Sequence, residues 1–139
     1  MGDILPIPDL NVGVGLTTSY PDEYSTIGNN LIKCITDYTK TYDTCSFGQI
    51  ITNNTLSGKT VKFEVDYKVF DDKWNIIIGT YSPNYSQLKS VTLDKDNNTG
   101  FVQVVLPANT TKIWIRLRSN TNNINSTIFS DNWRLTIIE

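Results

Sequence analysis

The stretch Thr60-Val61-Lys62-Phe63-Glu64-Val65-Asp66-Tyr67-Lys68-Val69 decides the fold class. Val61, Phe63, Val65, Tyr67 and Val69 point one way, and Lys62, Glu64, Asp66 and Lys68 point the other. Successive side chains of an extended strand leave on opposite faces, so this run is a strand with one dry and one wet face. The pattern returns downstream. In residues 112–118, Ile113, Ile115 and Leu117 are expected inward, with Lys112, Trp114, Arg116 and Arg118 outward. Toward the C-terminus, Phe129, Asp131, Trp133, Leu135 and Ile137 are expected on one face, with Ser130, Asn132, Arg134 and Thr136 opposite. No helical periodicity persists anywhere.

Turn signals separate these runs: Asn53-Asn54-Thr55, Ser57-Gly58, Asp71-Asp72-Lys73, Ser82-Pro83-Asn84, Asp94 to Gly100, Pro107-Ala108-Asn109 and Ser119 to Asn125. Between them lie strands at Trp74–Thr80, Lys89–Leu93 and Phe101–Leu106. Short strands with frequent turns predict an all-β sandwich of two antiparallel sheets and about eight strands. The 139 residues form one domain on ordinary size grounds, without internal repeat or linker. Residues 1–30 are less regular. Leu5-Pro6-Ile7-Pro8 is extended, and Gly13, Gly15, Pro21 and Gly28 predict a segment that wraps the sandwich with one short strand. Met1-Gly2-Asp3 reads as an expression start rather than native sequence.

Composition excludes several function classes. The chain has no histidine, which removes Ser-His-Asp and Cys-His nucleophilic catalysis and the commonest transition-metal ligand. Twelve basic against 14 acidic residues give a net charge of −2, not the cationic footprint of a nucleic-acid or anionic-membrane binder. The longest apolar runs, Ile76–Ile78 and Phe101–Leu106, fall far short of the ~20 residues of a spanning helix. Five Asn-x-Ser/Thr sequons, at Asn53, Asn84, Asn97, Asn109 and Asn125, matter only in a glycosylating secretory pathway. The remaining catalytic route is a carboxylate pair such as Glu64 with Asp66. A polysaccharide-cleaving cleft normally needs a larger scaffold, so no enzyme is expected.

Cys34 and Cys45 flank Asp37–Asp43. A hairpin of residues 31–37 and 44–51 turning between Thr39 and Lys40 would set them opposite each other, with Cβ atoms about 4.5–5.5 Å apart. A disulfide and a pair of buried thiols are both compatible with this reading.

From residue 47 onward the order of features resembles the jelly-roll carbohydrate-binding modules of the galactose-binding-like superfamily. The residues that carry this are Phe47-Gly48-Gln49-Ile50-Ile51, then Leu56-Ser57-Gly58-Lys59-Thr60-Val61-Lys62-Phe63, then Gly100–Leu106 with Ala108-Asn109-Thr110-Thr111 and Ile113–Leu117. The last is Phe129-Ser130-Asp131-Asn132-Trp133-Arg134-Leu135. Val61 and Trp133 depart from the residues usual at their places. Domains similar to this also occur in tail and baseplate proteins of phages of Gram-positive bacteria, which the Asn-rich loops and Asn11-Val12-Gly13-Val14-Gly15 resemble. The resemblance implies adhesion to a surface polysaccharide by part of an extracellular, cell-surface or virion protein. It also implies that Asp131, with Asp22 or Glu23, could hold a structural calcium; otherwise Asp131 accepts from backbone amides of a turn. No other cofactor is expected.

Sugars are held by aromatic faces against the C–H surface of the ring and by planar polar groups on its hydroxyls. Trp114 is the first candidate, beside Arg116 and Arg118. If its strand shares a sheet with residues 60–69, Glu64 and Asp66 join it on one concave surface. The alternative is an ordinary wet face with Trp114 covered by a loop or arginine stems. Tyr81 and Tyr85 flank Pro83-Asn84 as either binding rim or turn packing, while Trp74 and Trp133 are expected in the core. Phe101 and Val105, out of phase with Val102, Val104 and Leu106, suit a homo-oligomer contact or a second buried layer. The alternative function is therefore a structural or oligomerisation domain of a tail fibre, baseplate or adhesin.

Overall fold

The computed structural model describes residues 3–5, 11–12, 16–19, 32–36, 45–119 and 126–138, with side chains from Gly48 onward. Eleven strands occur among them: β1 (Asp3–Leu5), β2 (Asn11–Val12), β3 (Leu16–Ser19), β4 (Ile32–Thr36), β5 (Cys45–Thr52), β6 (Thr60–Val69), β7 (Trp74–Ser82), β8 (Ser86–Thr92), β9 (Thr99–Val105), β10 (Lys112–Ser119) and β11 (Thr127–Ile137). They form two antiparallel sheets. The first, sheet I, runs β3-β4-β11-β6-β9, with β1 also on β11; the second, sheet II, runs β2-β5-β10-β7-β8. The sandwich expected from the alternation of β6 and β10 is therefore present.

Burial follows from which residues stand opposite each other, because cross-strand partners leave a sheet on the same side. On sheet I, Phe63 faces Val102 on β9 and Leu135 on β11. On sheet II, Ile115 faces Ile78 on β7 and Gln49 on β5. These inner rows meet in one core that includes Phe63, Val65, Tyr67, Trp74, Ile76 and Ile113. Fully burying each large side chain contributes roughly 1.5–3 kcal/mol. Trp74 lies in this core as expected, and its indole N–H donates to Ser126 Oγ at 2.9 Å, which in turn donates to Asp71 Oδ2 at 3.0 Å. That chain of bonds ties the β6–β7 turn to the start of β11.

Three expectations change. The C-terminal alternation is not continuous: Phe129 and Asp131 face the outer side with Lys68 and Asp66, whereas Ile128 and Ser130 face inward with Val69 and Tyr67. The register shifts between Asp131 and Arg134, and Asn132 adopts a left-handed φ of 52°. This β-bulge inserts an extra residue and reverses the phase. Beyond it, Trp133 packs on Phe63 with ring centroids 5.1 Å apart, half-buried at the rim of the core. The cysteine-bearing hairpin does not form either. Cys34 sits on β4 in sheet I, opposite Ile128 and Thr18, and Cys45 sits on β5 in sheet II, opposite Ser119. They are not cross-strand neighbours, and their side chains fall outside the described part. Finally, the early segment contributes three short strands rather than one, on β11, β5 and β4 in turn, so it visits both sheets.

Candidate functional site

Strand β10 is central in sheet II, between β5 and β7. Its outward residues are Lys112, Trp114, Arg116 and Arg118, opposite Thr52, Ile50, Gly48 and Ser46 on β5. The strand β6 that carries Glu64 and Asp66 belongs to sheet I. Their outward side chains therefore lie on the opposite outer face, and the shared surface with Trp114 and Arg116 does not exist. There Arg134 spans both acids, with Nε 3.4 Å from Glu64 Oε1 and Nη2 3.3 Å from Asp66 Oδ1. The Asn132 amide donates to Asp66 Oδ2 at 2.7 Å. Burial alone would raise the Asp66 carboxyl pKa, but the Asn132 bond and the Arg134 charge outweigh it and hold it below the usual carboxylate value.

Trp114 points outward as the alternation requires, yet it is only 2 % exposed. The cause is Gly79, its partner on β7. A Cβ at Gly79 would stand 2.0 Å from Trp114 Cζ2, so the indole occupies the space a side chain would fill and lies down on the sheet. Two further groups cover it. The Arg116 guanidinium carbon sits 4.2 Å from the indole centroid. The Tyr85 ring stacks on it at 5.9 Å with planes 27° apart. The alternative expected for this tryptophan, cover by an arginine, holds together with the tyrosine.

On this face the aromatic surface open to solvent is thus Tyr85, 60 % exposed, with Tyr81, 43 % exposed. The two rings meet edge to face at 5.8 Å. Both flank the β7–β8 turn, which is closed by Thr80 Oγ1 donating to Asn84 O at 2.7 Å. Lys112 Nζ lies 5.4 Å from the Tyr81 centroid. The result is a two-ring platform on a buried indole floor, edged by cations. Tyr81, Tyr85, Trp114 and Arg116 come together; Arg118 lies along the same strand, and Glu64 and Asp66 are excluded. Lys112 and Gly79 were not singled out as site residues. A glycine inside the apolar run Ile76–Thr80 was the available signal for a close approach.

Arg118 has no hydrogen-bond partner for its Nε, and burial followed by the charge of Arg116 lowers its pKa. Trp114 Nε1 is likewise buried without a partner. Asp131 accepts the Asn132 N–H on Oδ1 at 2.7 Å, the turn-amide alternative considered for it. Among the described residues no group of three or more His, Cys, Asp or Glu side chains is placed to hold a metal. Asp22 and Glu23 lie outside the described part.

No family profile and no curated protein matches the sequence. Solved structures do. The CBM22-1 xylan-binding domain of Paenibacillus barcinonensis Xyn10C superposes with a TM-score of 0.67 at 11 % identity, over 99 % of this chain and 96 % of that one. The chain has the fold of a jelly-roll carbohydrate-binding module. TmCBM61, solved with β-1,4-galactotriose, matches at TM-score 0.54 and 11 % identity, over 93 % and 87 % of the two chains. The enzymatically active domain of bacteriophage CBA120 tailspike protein 4 matches at TM-score 0.65 and 14 % identity. There the match covers 94 % of this chain but 19 % of the tailspike domain, so this chain corresponds to a small part of that protein.

Proposed function

We propose that this domain is a non-catalytic carbohydrate-binding module that attaches a larger extracellular or phage tail protein to a cell-surface glycan through the Tyr81–Tyr85 end of sheet II. The observation that carries the reading is the stack of an exposed Tyr85 on a buried Trp114. A tyrosine held flat on an indole is a rigid apolar surface with a polar tip, suited to the C–H face of a pyranose. Several structural neighbours being carbohydrate-binding modules supports it. The test is a glycan array or affinity electrophoresis with wild type and Tyr85→Ala. Binding by wild type, lost in a variant that still unfolds in one cooperative transition, is expected. Undiminished binding by the variant would remove the site, and no binding to any glycan would remove the function.

A second reading, a homo-oligomerisation domain, draws on strand β9. It is an edge of sheet I and carries no charge or proline, and its outward Phe101 and Val105 are 50 % and 64 % exposed. Edge strands are usually blunted by charge, proline or bulges. Light scattering on a sizing column decides it: a dimer or trimer that Val105→Lys dissolves supports the reading, and a monomer at all concentrations sinks it.

A further inference from the structure

The two sheets differ in charge far more than a chain of net charge −2 requires. The strands of sheet I carry Lys33, Lys62, Lys68 and Arg134 against Asp3, Glu64, Asp66 and Asp131. The strands of sheet II carry Lys89, Lys112, Arg116 and Arg118 and no carboxylate at all. Three of those cations, Lys112, Arg116 and Arg118, stand in one outward row on β10, spanning about 20 Å at roughly 3.3 Å per residue. Among the described residues none of the three has an ion pair, whereas Arg134 on the other sheet has two. Charges withdrawn from water are ordinarily paired, and among the described residues no carboxylate stands beside these three.

We propose that the glycan taken at the Tyr81–Tyr85 platform is acidic, a saccharide polymer bearing carboxylate or phosphate groups that Arg116 and Arg118 receive. The inference rests on the glycan-binding reading above and adds the charge of the ligand. The Arg116 guanidinium carbon rests 4.2 Å from the centroid of the buried Trp114 indole, which restrains the group. A restrained guanidinium fork is pre-organised for bidentate hydrogen bonding to a carboxylate or phosphate. Burial and then the charge of Arg116 lower the Arg118 pKa, and the charge of a bound anion would oppose that shift. The aromatic rings take the neutral face of the sugar and the arginines its charge, which separates this ligand from a plain anion.

The test is calorimetry on the full chain with four polymers: polygalacturonate for carboxylate, a poly(glycerol phosphate) teichoic acid for phosphate, and methyl-esterified polygalacturonate and xylan as neutral counterparts. At least one acidic polymer is expected to bind about tenfold tighter than the neutral pair, the scale of one charge-assisted contact. That affinity falls as NaCl is raised. Arg118→Gln removes most of the preference, Arg118→Lys restores part of it, and Lys68→Gln, an equal charge change on the outer face of sheet I, leaves it. The salt series on wild type needs no variant to fold. Equal affinity for neutral and acidic polymers, lost in Tyr85→Ala, would overturn the acidic ligand while leaving the glycan reading intact. Binding of polyphosphate or single-stranded DNA as tight as that of the acidic saccharides would overturn the saccharide. Binding to none of the polymers would overturn both.

Discussion

The two outer faces of the sandwich solve the same problem in opposite ways. Each is a row of long charged side chains on a central strand pair, β6 with β11 on one side and β10 with its neighbours on the other. On sheet I the charges satisfy one another: Arg134 reaches Glu64 and Asp66, and Lys62 Nζ lies 3.9 Å from Glu64. Lys62 and Lys68 also lie over Phe101 and Phe70, but the strands of sheet II carry no carboxylate, and there Arg116 and Lys112 have rings alone, Trp114 and Tyr81. A self-satisfied face has little reason to hold a ligand. A face of cations on aromatics retains both an apolar surface and unspent hydrogen-bond donors.

The contrast can be broken most severely at its floor. Trp114→Ala deletes a buried side chain and is expected to cost about 3–5 kcal/mol, read by denaturant unfolding. This residue is therefore a poor probe of binding, although its outward phase alone suggests a harmless substitution. Gly79→Ala places a methyl group in the indole ring and is expected to cost about 1–3 kcal/mol, with a changed tryptophan emission as the ring is lifted.

The sheet I side can be sharpened by pH. The Asp66 pKa is depressed in the folded state, so its contribution is fully present above the ordinary value of 3.8. It is lost as pH falls through the depressed value. Asp66→Asn should therefore lower stability at neutral pH and flatten the acid limb of a stability profile; an unchanged limb would show that Arg134 and Asn132 do not hold this charge. The smallest stability change is expected at Tyr85→Ala, about 0.5–1.5 kcal/mol for the ring stack lost from Trp114, while binding is lost.

Much of this architecture was legible in the residues. Alternation over 60–69 and 112–118 identified β6 and β10 and the correct inward set of each. What alternation lacks is any record of which sheet a strand joins, and so Glu64 and Asp66 were grouped with a tryptophan on the far face. It also fails at bulges: the left-handed Asn132 resets the phase of β11, exchanging Phe129 for Ile128 as the inward residue. The supposed hairpin around the cysteines failed because sequence neighbours in a sandwich commonly cross between sheets. The burial of Trp114 was hidden for a different reason. It depends on an absent side chain on a neighbouring strand, a property of the pair rather than of either residue.

That crossing has a kinetic corollary. From β5 onward, only β7 and β8 are paired with their neighbour in sequence; every other connection passes from one sheet to the other. Topologies dominated by such distant pairings fold in milliseconds to seconds, whereas an isolated hairpin closes in about 1–10 μs. Among the described strands from β5 onward, the hairpin able to form early is the one that bears Tyr81 and Tyr85. The floor beneath them, β10, begins only at Lys112, after β8 has ended at Thr92 and the chain has crossed to sheet I and back. The rim of the site is thus the most local element of the domain, and its support is assembled with the whole.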